Sequence, residues 1–158
     1  MAKDIHDVFR FDLGHRFAGD EIDVVVKQLV PAHPVKGYVP AYDCRVVKAG
    51  SSEQIGRINV RVGYVDSLVK YGGHIGYGID EAHRGRRYAC KACQLVKPIF
   101  VAHGIDVIWI TCNPDNWPSR KTCEYLGCQF VEIVDLPEDN DMYLEGERQK
   151  CRYRLIVY

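Results

Sequence analysis

Residues 72–89 read Gly72-Gly73-His74-Ile75-Gly76-Tyr77-Gly78-Ile79-Asp80-Glu81-Ala82-His83-Arg84-Gly85-Arg86-Arg87-Tyr88-Ala89. Ile75, Tyr77 and Ile79 alternate with His74, Gly76 and Gly78, which predicts a short strand with one bulky face and one nearly bare face. A bare strand face lets a ligand or another backbone come close. Residues 84–89 follow, where the first turn of a helix is expected. The first N–H groups of a helix have no internal partner and carry partial positive charge. Arg84, Arg86 and Arg87 reinforce that end, so the strand–helix junction predicts a site for an anion, most simply a polyphosphate.

On the N-terminal side, 42–48 and 54–62 read as a hairpin around the turn Ala49-Gly50-Ser51-Ser52. Residues 21–30, centred on Val24, Val25 and Val26, read as a strand. Residues 8–13 read as a short edge strand. Pro31, Pro34 and Pro40 prevent regular structure over 31–41, and 65–71 suggests a brief helical turn. On the C-terminal side a helix is expected over 85–103, kinked by Pro98 and stopped by Gly104. A buried strand of the parallel type is expected over 105–112. Asp115 or Asn116 should then cap a helix that runs to Leu126 and stops at Gly127. Strands over 128–134 and 151–158 close the chain, separated by an acidic loop. The order predicts a mixed α/β (α+β) sheet with helices on its faces.

The chain has 158 residues, 47% hydrophobic and 27% charged, which suits one soluble domain over 1–158. The formal net charge is +0, and no base-stacking aromatic array accompanies the arginines, which argues against a nucleic-acid partner. No apolar run is long enough to span a bilayer, and residues 1–4 lead straight into mixed sequence. A cytoplasmic protein with no membrane partner is expected. Seven cysteines, an odd number, read as free thiols. Cys90 and Cys93 have the spacing of half a zinc site, but no second Cys/His pair matches it, so they read as small core residues and no metal is expected.

Two segments together carry a resemblance. Arg84-Gly85-Arg86-Arg87-Tyr88-Ala89 resembles the Arg/Gln-x-x-Gly-x-Gly/Ala signature of the GCN5-related N-acetyltransferases, the GNAT family. Asn113-Pro114-Asp115-Asn116, with Ser119 and Glu124-Tyr125-Leu126-Gly127, is similar to the family's later Asn-x-x-Ser/Ala segment. The resemblance covers residues 53–158 well and the first 50 poorly. It implies the GNAT acyl-CoA N-acyltransferase fold, a mixed central sheet flanked by helices. It also implies acetyl-CoA as cosubstrate. The pyrophosphate would lie against Arg84, Gly85, Arg86, Arg87, Tyr88 and Ala89, the thioester near the backbone of Ile79, and the pantetheine along Asn113, Asn116 and Ser119. Three departures stand out. Arg87 replaces the glycine that lets the backbone approach the pyrophosphate. The segment over 31–41 is too short for the two helices usual between the first two strands. Cys123 stands where many relatives have a tyrosine acid.

Direct acetyl transfer to an amine needs a base for the ammonium and an acid for the leaving thiolate. Glu81, His74 and Tyr77 are the candidate bases; Cys123, or Ser119 through a water, is the candidate acid. Each also has a plain structural reading: Glu81 as the acid of a helix entry, His74 as a satisfied sheet histidine, Cys123 as a buried small residue. No Lys or Arg occurs over 129–147, whereas Glu132, Asp135, Glu138, Asp139, Asp141, Glu145 and Glu147 do. That stretch would either attract a cationic acceptor or simply be solvated. The expected partners are acetyl-CoA and a small amine or peptide acceptor, with the chain a monomer or homodimer. The alternative is a non-catalytic acyl-CoA-binding module of the same fold.

Overall fold

The structure is a computed structural model that describes residues 8–158. Residues 1–4, which bear on a leader segment, lie outside the described part. Five antiparallel strands form the first sheet in the order β1-β2-β3-β4-β5: β1 Arg16–Phe17, β2 Ile22–Val30, β3 Ala41–Lys48, β4 Gln54–Arg61 and β5 Ile75–Ile79. Two helices follow, α1 Tyr88–Leu95 and α2 Lys97–Ala102. The second sheet has the order β6-β8-β7, from β6 Val107–Cys112, β7 Gln129–Asp135 and β8 Gln149–Ile156. Helix α3, Trp117–Leu126, joins β6 to β7, and the short α4, Asp141–Leu144, lies between β7 and β8. The α+β class holds. Within it, each hydrogen-bonded strand pair is antiparallel, and the sheet divides between β5 and β6.

Alternation decides which strand face is buried. Val24, Val26, Tyr42, Val46, Ile58 and Val60 point to one face, where they pack with Cys93, Val96 and Phe100 of the helices in one cluster. Burying a side chain of this size contributes about 1.5–3 kcal/mol. The opposite face carries Asp43, Arg45, Arg57, Asn59 and Arg61, which share rows in the strand register. The prolines keep residues 31–40 irregular, with only a His33–Tyr38 bridge.

Several expectations change. Residues 8–13 form no strand: Arg10 and Phe11 donate their N–H groups to the Tyr42 hydroxyl, and Phe9 is buried against that ring. The edge strand is the two-residue β1. The helix expected over 85–103 is two helices that break at Val96. Pro98 has no N–H and its ring crowds the preceding turn. Its start moves to Tyr88 because Gly85 and Arg87 both have positive φ. β6 is not a doubly buried parallel strand: alternate residues are buried, and it pairs antiparallel with β8. The brief turn expected over 65–71 is a π-helical turn, Leu68–Gly72.

Candidate active site

The chain holds β5 and β6 together at one end and lets them diverge from there. His74 donates its N–H to the Trp109 carbonyl at 2.7 Å, and the Trp109 N–H donates to His74 Nδ1 at 2.9 Å. The proton on the ring is therefore at Nε2, which donates to the Gly63 carbonyl at 2.9 Å. His74 is fully buried, and burial pushes its pKa down to about 4. Both nitrogens are engaged and no face is open. His74 thus cannot serve as the base; it is a neutral bolt between the two sheets.

Beyond that bolt the register matters. The Arg61 N–H bonds the His74 carbonyl and the Asp80 N–H bonds the Ile55 carbonyl, bracketing the β4–β5 ladder. The carbonyl of His74 and the N–H groups of residues 76, 78 and 80 therefore face β4. The N–H groups of Ile75, Tyr77 and Ile79 point to the free edge, toward the gap. A linear amide chain can bond to such an edge as an added strand would.

At the far end of the gap, α1 begins at Tyr88. Arg87 is its N-cap but supplies no side-chain bond, and the first turn holds no acidic residue. The first intrahelical N–H is that of Lys91, bonded to the Arg87 carbonyl at 3.0 Å. The N–H groups of Tyr88, Ala89 and Cys90 thus have no intrahelical partner. Arg84 and Arg86 are exposed beside them, with Arg84 Nε donating to the Ile79 carbonyl at 2.8 Å. Arg87 adopts φ 60°, a left-handed conformation that glycine takes readily, and lays its guanidinium 3.8 Å from the Tyr125 ring centroid. The side chain is thereby turned onto Tyr125. Left-handed strain of about 1–2 kcal/mol is offset in part by cation–π stacking of about 0.5–1 kcal/mol. Glycine would relieve the strain but adds about 0.5–1 kcal/mol of unfolded-state entropy. Arg87→Gly is therefore expected to shift stability by less than about 1 kcal/mol, checked as a urea midpoint at unchanged m-value.

Between bolt and helix end, Tyr77 leans from β5 across to α3. Its hydroxyl lies 2.7 Å from Ser119 Oγ. Ser119 is held by the cap: Asn116 Oδ1 accepts from the Ser119 N–H at 3.3 Å. Burial raises the Tyr77 pKa well above the ordinary phenol value. Tyr77 therefore keeps its proton at neutral pH, so it can serve as an acid and not as a base. Cys123 is fully buried, and its thiol donates to the Cys128 sulfur, which raises its pKa strongly. The expected thiol acid is thus enclosed in the core. The Asn113 carboxamide is spent on Glu147 at 2.9 Å and Lys150 at 2.8 Å, tying β6 to the last hairpin. Glu81 sits exposed on the single turn Glu81–His83, just past the C-terminal end of β5.

A cleft of about 1090 Å³ opens on the sheet face opposite the helices. Asn59 and Arg61 line it together with parts of 30–41, 65–73 and 137–142. The acidic stretch thus reaches it through Asp139 and Asp141, and Asp141 accepts from the Tyr38 hydroxyl at 3.2 Å. Sequence reasoning missed Arg61 and Asp66 here. The only signal for Arg61 was its alternation with Ile58 and Val60 on β4.

Among the described residues no group of three or more metal-binding side chains occurs, and no helix is long and apolar enough to cross a membrane.

A family described as acetyltransferase (GNAT) domain matches residues 15–129. Among curated proteins, no sequence matches the chain. A GNAT-family acetyltransferase from Bacillus anthracis superposes with TM-score 0.57 at 20% identity, over 73% of this chain and 66% of that one. RimL, a ribosomal alpha-N-protein acetyltransferase in complex with coenzyme A, gives 0.56 at 18% identity, over 77% and 64%. The chain thus spans less than two thirds of either protein's length. A ribosomal-protein alanine acetyltransferase from Vibrio fischeri gives 0.65 at 14% identity, over 90% and 97%. At these identities the likeness is one of fold.

Proposed function

The chain belongs to the GNAT acetyltransferase domain family, and from that premise we propose that residues 1–158 act as one domain that transfers the acetyl group of acetyl-CoA to a primary amine by direct attack in a ternary complex. The observation that carries this reading is the gap between β5 and β6, closed at one end by His74 and open at the other onto the free N–H groups of α1. Its edge N–H groups and its cationic far end suit a pantetheine arm ending in a pyrophosphate. Bound acetyl-CoA would supply the activated acetyl group.

The chain's own groups take the remaining tasks. The N–H groups of Tyr88, Ala89 and Cys90, with Arg84 and Arg86, hold the pyrophosphate. The edge N–H groups of Tyr77 and Ile79 orient the arm and polarise the thioester carbonyl. Tyr77, bonded to Ser119, donates the proton that the departing thiolate takes up. Gly76 and Gly78 leave the cleft-side face of β5 bare, so an amine can approach from that side. The amine loses its proton to water through the open cleft, and no single side chain is assigned as base. The non-catalytic alternative rested on Arg87 and on the absent helix tyrosine. Arg87 adopts a left-handed conformation that glycine takes readily and turns its side chain onto Tyr125, and Tyr77 offers a phenol from the strand instead, so catalysis is the better supported reading.

Two structural relatives are named as acetyltransferases of ribosomal proteins, one of them an alpha-N-protein acetyltransferase, which makes a peptide α-amine the first acceptor to test. Calorimetric titration of acetyl-CoA tests the reading. Micromolar binding is expected, weakened about 10-fold or more in Arg84→Ala/Arg86→Ala, because two charge-assisted phosphate contacts are lost. Absence of binding to the unmutated chain would remove the acetyltransferase reading.

A further inference from the structure

Arg61 is the feature of the cleft that acetyl transfer leaves unexplained. It comes from the end of β4 and is only partly exposed. Its Nη1 donates to the carbonyls of Gly72 at 3.0 Å and Gly73 at 2.8 Å. Among the described residues it has no carboxylate partner within ion-pair distance. The other terminal nitrogen lies on the bare face of β5: a Cβ added at Gly76 would sit 3.1 Å from Arg61 Nη2. A half-buried guanidinium therefore stands beside the middle of β5, where the thioester would be attacked.

A second observation lies on the same sheet face. Arg45 and Arg57 are directly opposed across β3 and β4, and neither forms an ion pair. Arg45 Nε is buried and has no hydrogen-bond partner. Like charges directly opposed on adjacent strands are destabilising, and a buried unbonded donor adds to the cost. An anion on this face would relieve both. The cleft lining also carries Asp66, Asp139 and Asp141, alongside Lys36 and Lys70. The cleft thus offers carboxylates that suit an ammonium and, in Arg61, a guanidinium without a carboxylate partner that suits a carboxylate.

We infer that the acceptor carries a carboxylate close to its amine and that Arg61 binds that carboxylate, fixing the amine over Gly76. This rests on the acetyltransferase reading. The shared chemistry fits a free amino acid, and equally a peptide with an acidic residue next to its amino terminus. In the peptide case Arg57 and Arg45 continue the anion track.

The test compares matched acceptors by acetyl-CoA-dependent thiol release. One arm uses free amino acids against their carboxamides. The other uses tetrapeptide amides with Asp or Asn at the second position. The carboxylate is expected to raise kcat/KM at least about 10-fold in one arm, and Arg61→Gln to bring that ratio to near unity. Arg57→Gln should reduce the ratio in the peptide arm only. The ratio is the readout because loss of the Gly72 and Gly73 contacts alone would slow both members of a pair equally. Arg61→Lys, which keeps charge but not the fork, should retain an intermediate ratio. Equal rates for carboxylate and amide, or a ratio that survives Arg61→Gln, overturn the assignment. So does acetyl-CoA binding without turnover of any panel member. Calorimetry on the same preparation separates the two claims: if acetyl-CoA does not bind, the acetyltransferase reading itself has failed.

Discussion

Tyr77→Phe is expected to lower kcat about 100-fold while leaving acetyl-CoA affinity nearly unchanged, the size typical of a removed general acid. The ring stays in its packing site between β5 and α3, so only the hydroxyl and its 2.7 Å bond to Ser119 Oγ are lost. Stability should fall by only about 1 kcal/mol, the net worth of one hydrogen bond. Ser119→Ala should have a smaller effect, because it removes the partner that aims the phenol and not the proton itself. Initial-rate thiol release and calorimetric titration on the same variants measure both quantities. An unchanged kcat would show that Tyr77 is not the proton source. The pH profile gives an independent check. Burial raises the Tyr77 pKa, so the acid stays protonated from neutral to strongly alkaline pH. The rate should then rise as the acceptor amine deprotonates, with no falling limb below about pH 10, the ordinary tyrosine value.

His74→Ala is expected to cost about 3–5 kcal/mol of stability, from the cavity and from two buried backbone groups left without partners. Those groups are the Trp109 N–H and the Gly63 carbonyl, each 2.9 Å from a ring nitrogen. The loss falls on the junction that sets where β5 and β6 begin to diverge, so acetyl-CoA binding should weaken too. Urea unfolding measures the first effect. The same residue predicts a pH dependence. Its pKa is lowered from 6.5 to about 4 on folding. Between those values the unfolded chain binds a proton that the native chain does not. Stability is therefore full above about pH 6.5 and falls as pH drops toward 4, by up to about 3 kcal/mol. In His74→Gln that part of the acid slope should vanish. A wild-type curve flat across this window would show that His74 is not buried neutral.

The arginine-rich helix entry is expected at 85, and the positive φ of Gly85 and Arg87 delays it to Tyr88, whereas the strand at 75–79 was legible because period-two alternation needs no distant partner. The family signature, the hairpin around residue 50, the Asn116 cap and the Gly127 stop were read for the same reason. The catalytic candidates fared differently. His74 and Cys123 looked reactive as residue types, and only their surroundings show that one is locked between backbone groups and the other enclosed against Cys128. Tyr77 was on the page as a base. Burial and the raised pKa rule it out as a base, and the neutral hydroxyl that remains can only donate a proton.

Local sequence by itself carried the family resemblance, the order of the main elements, the arginine-rich entry expected to take an anion and the loss of regular structure over 31–41. Proline geometry, alternation and helix-end chemistry act over a few residues, and the chain states them directly. Tertiary structure alone decided that β5 and β6 part beyond His74 and that Arg87 takes a glycine's backbone conformation. It alone set Tyr77 against Ser119, 42 residues away, and Arg61 beside Gly76. Those relations depend on strand register and on which groups lose water on folding, and both arise only when distant segments are packed together.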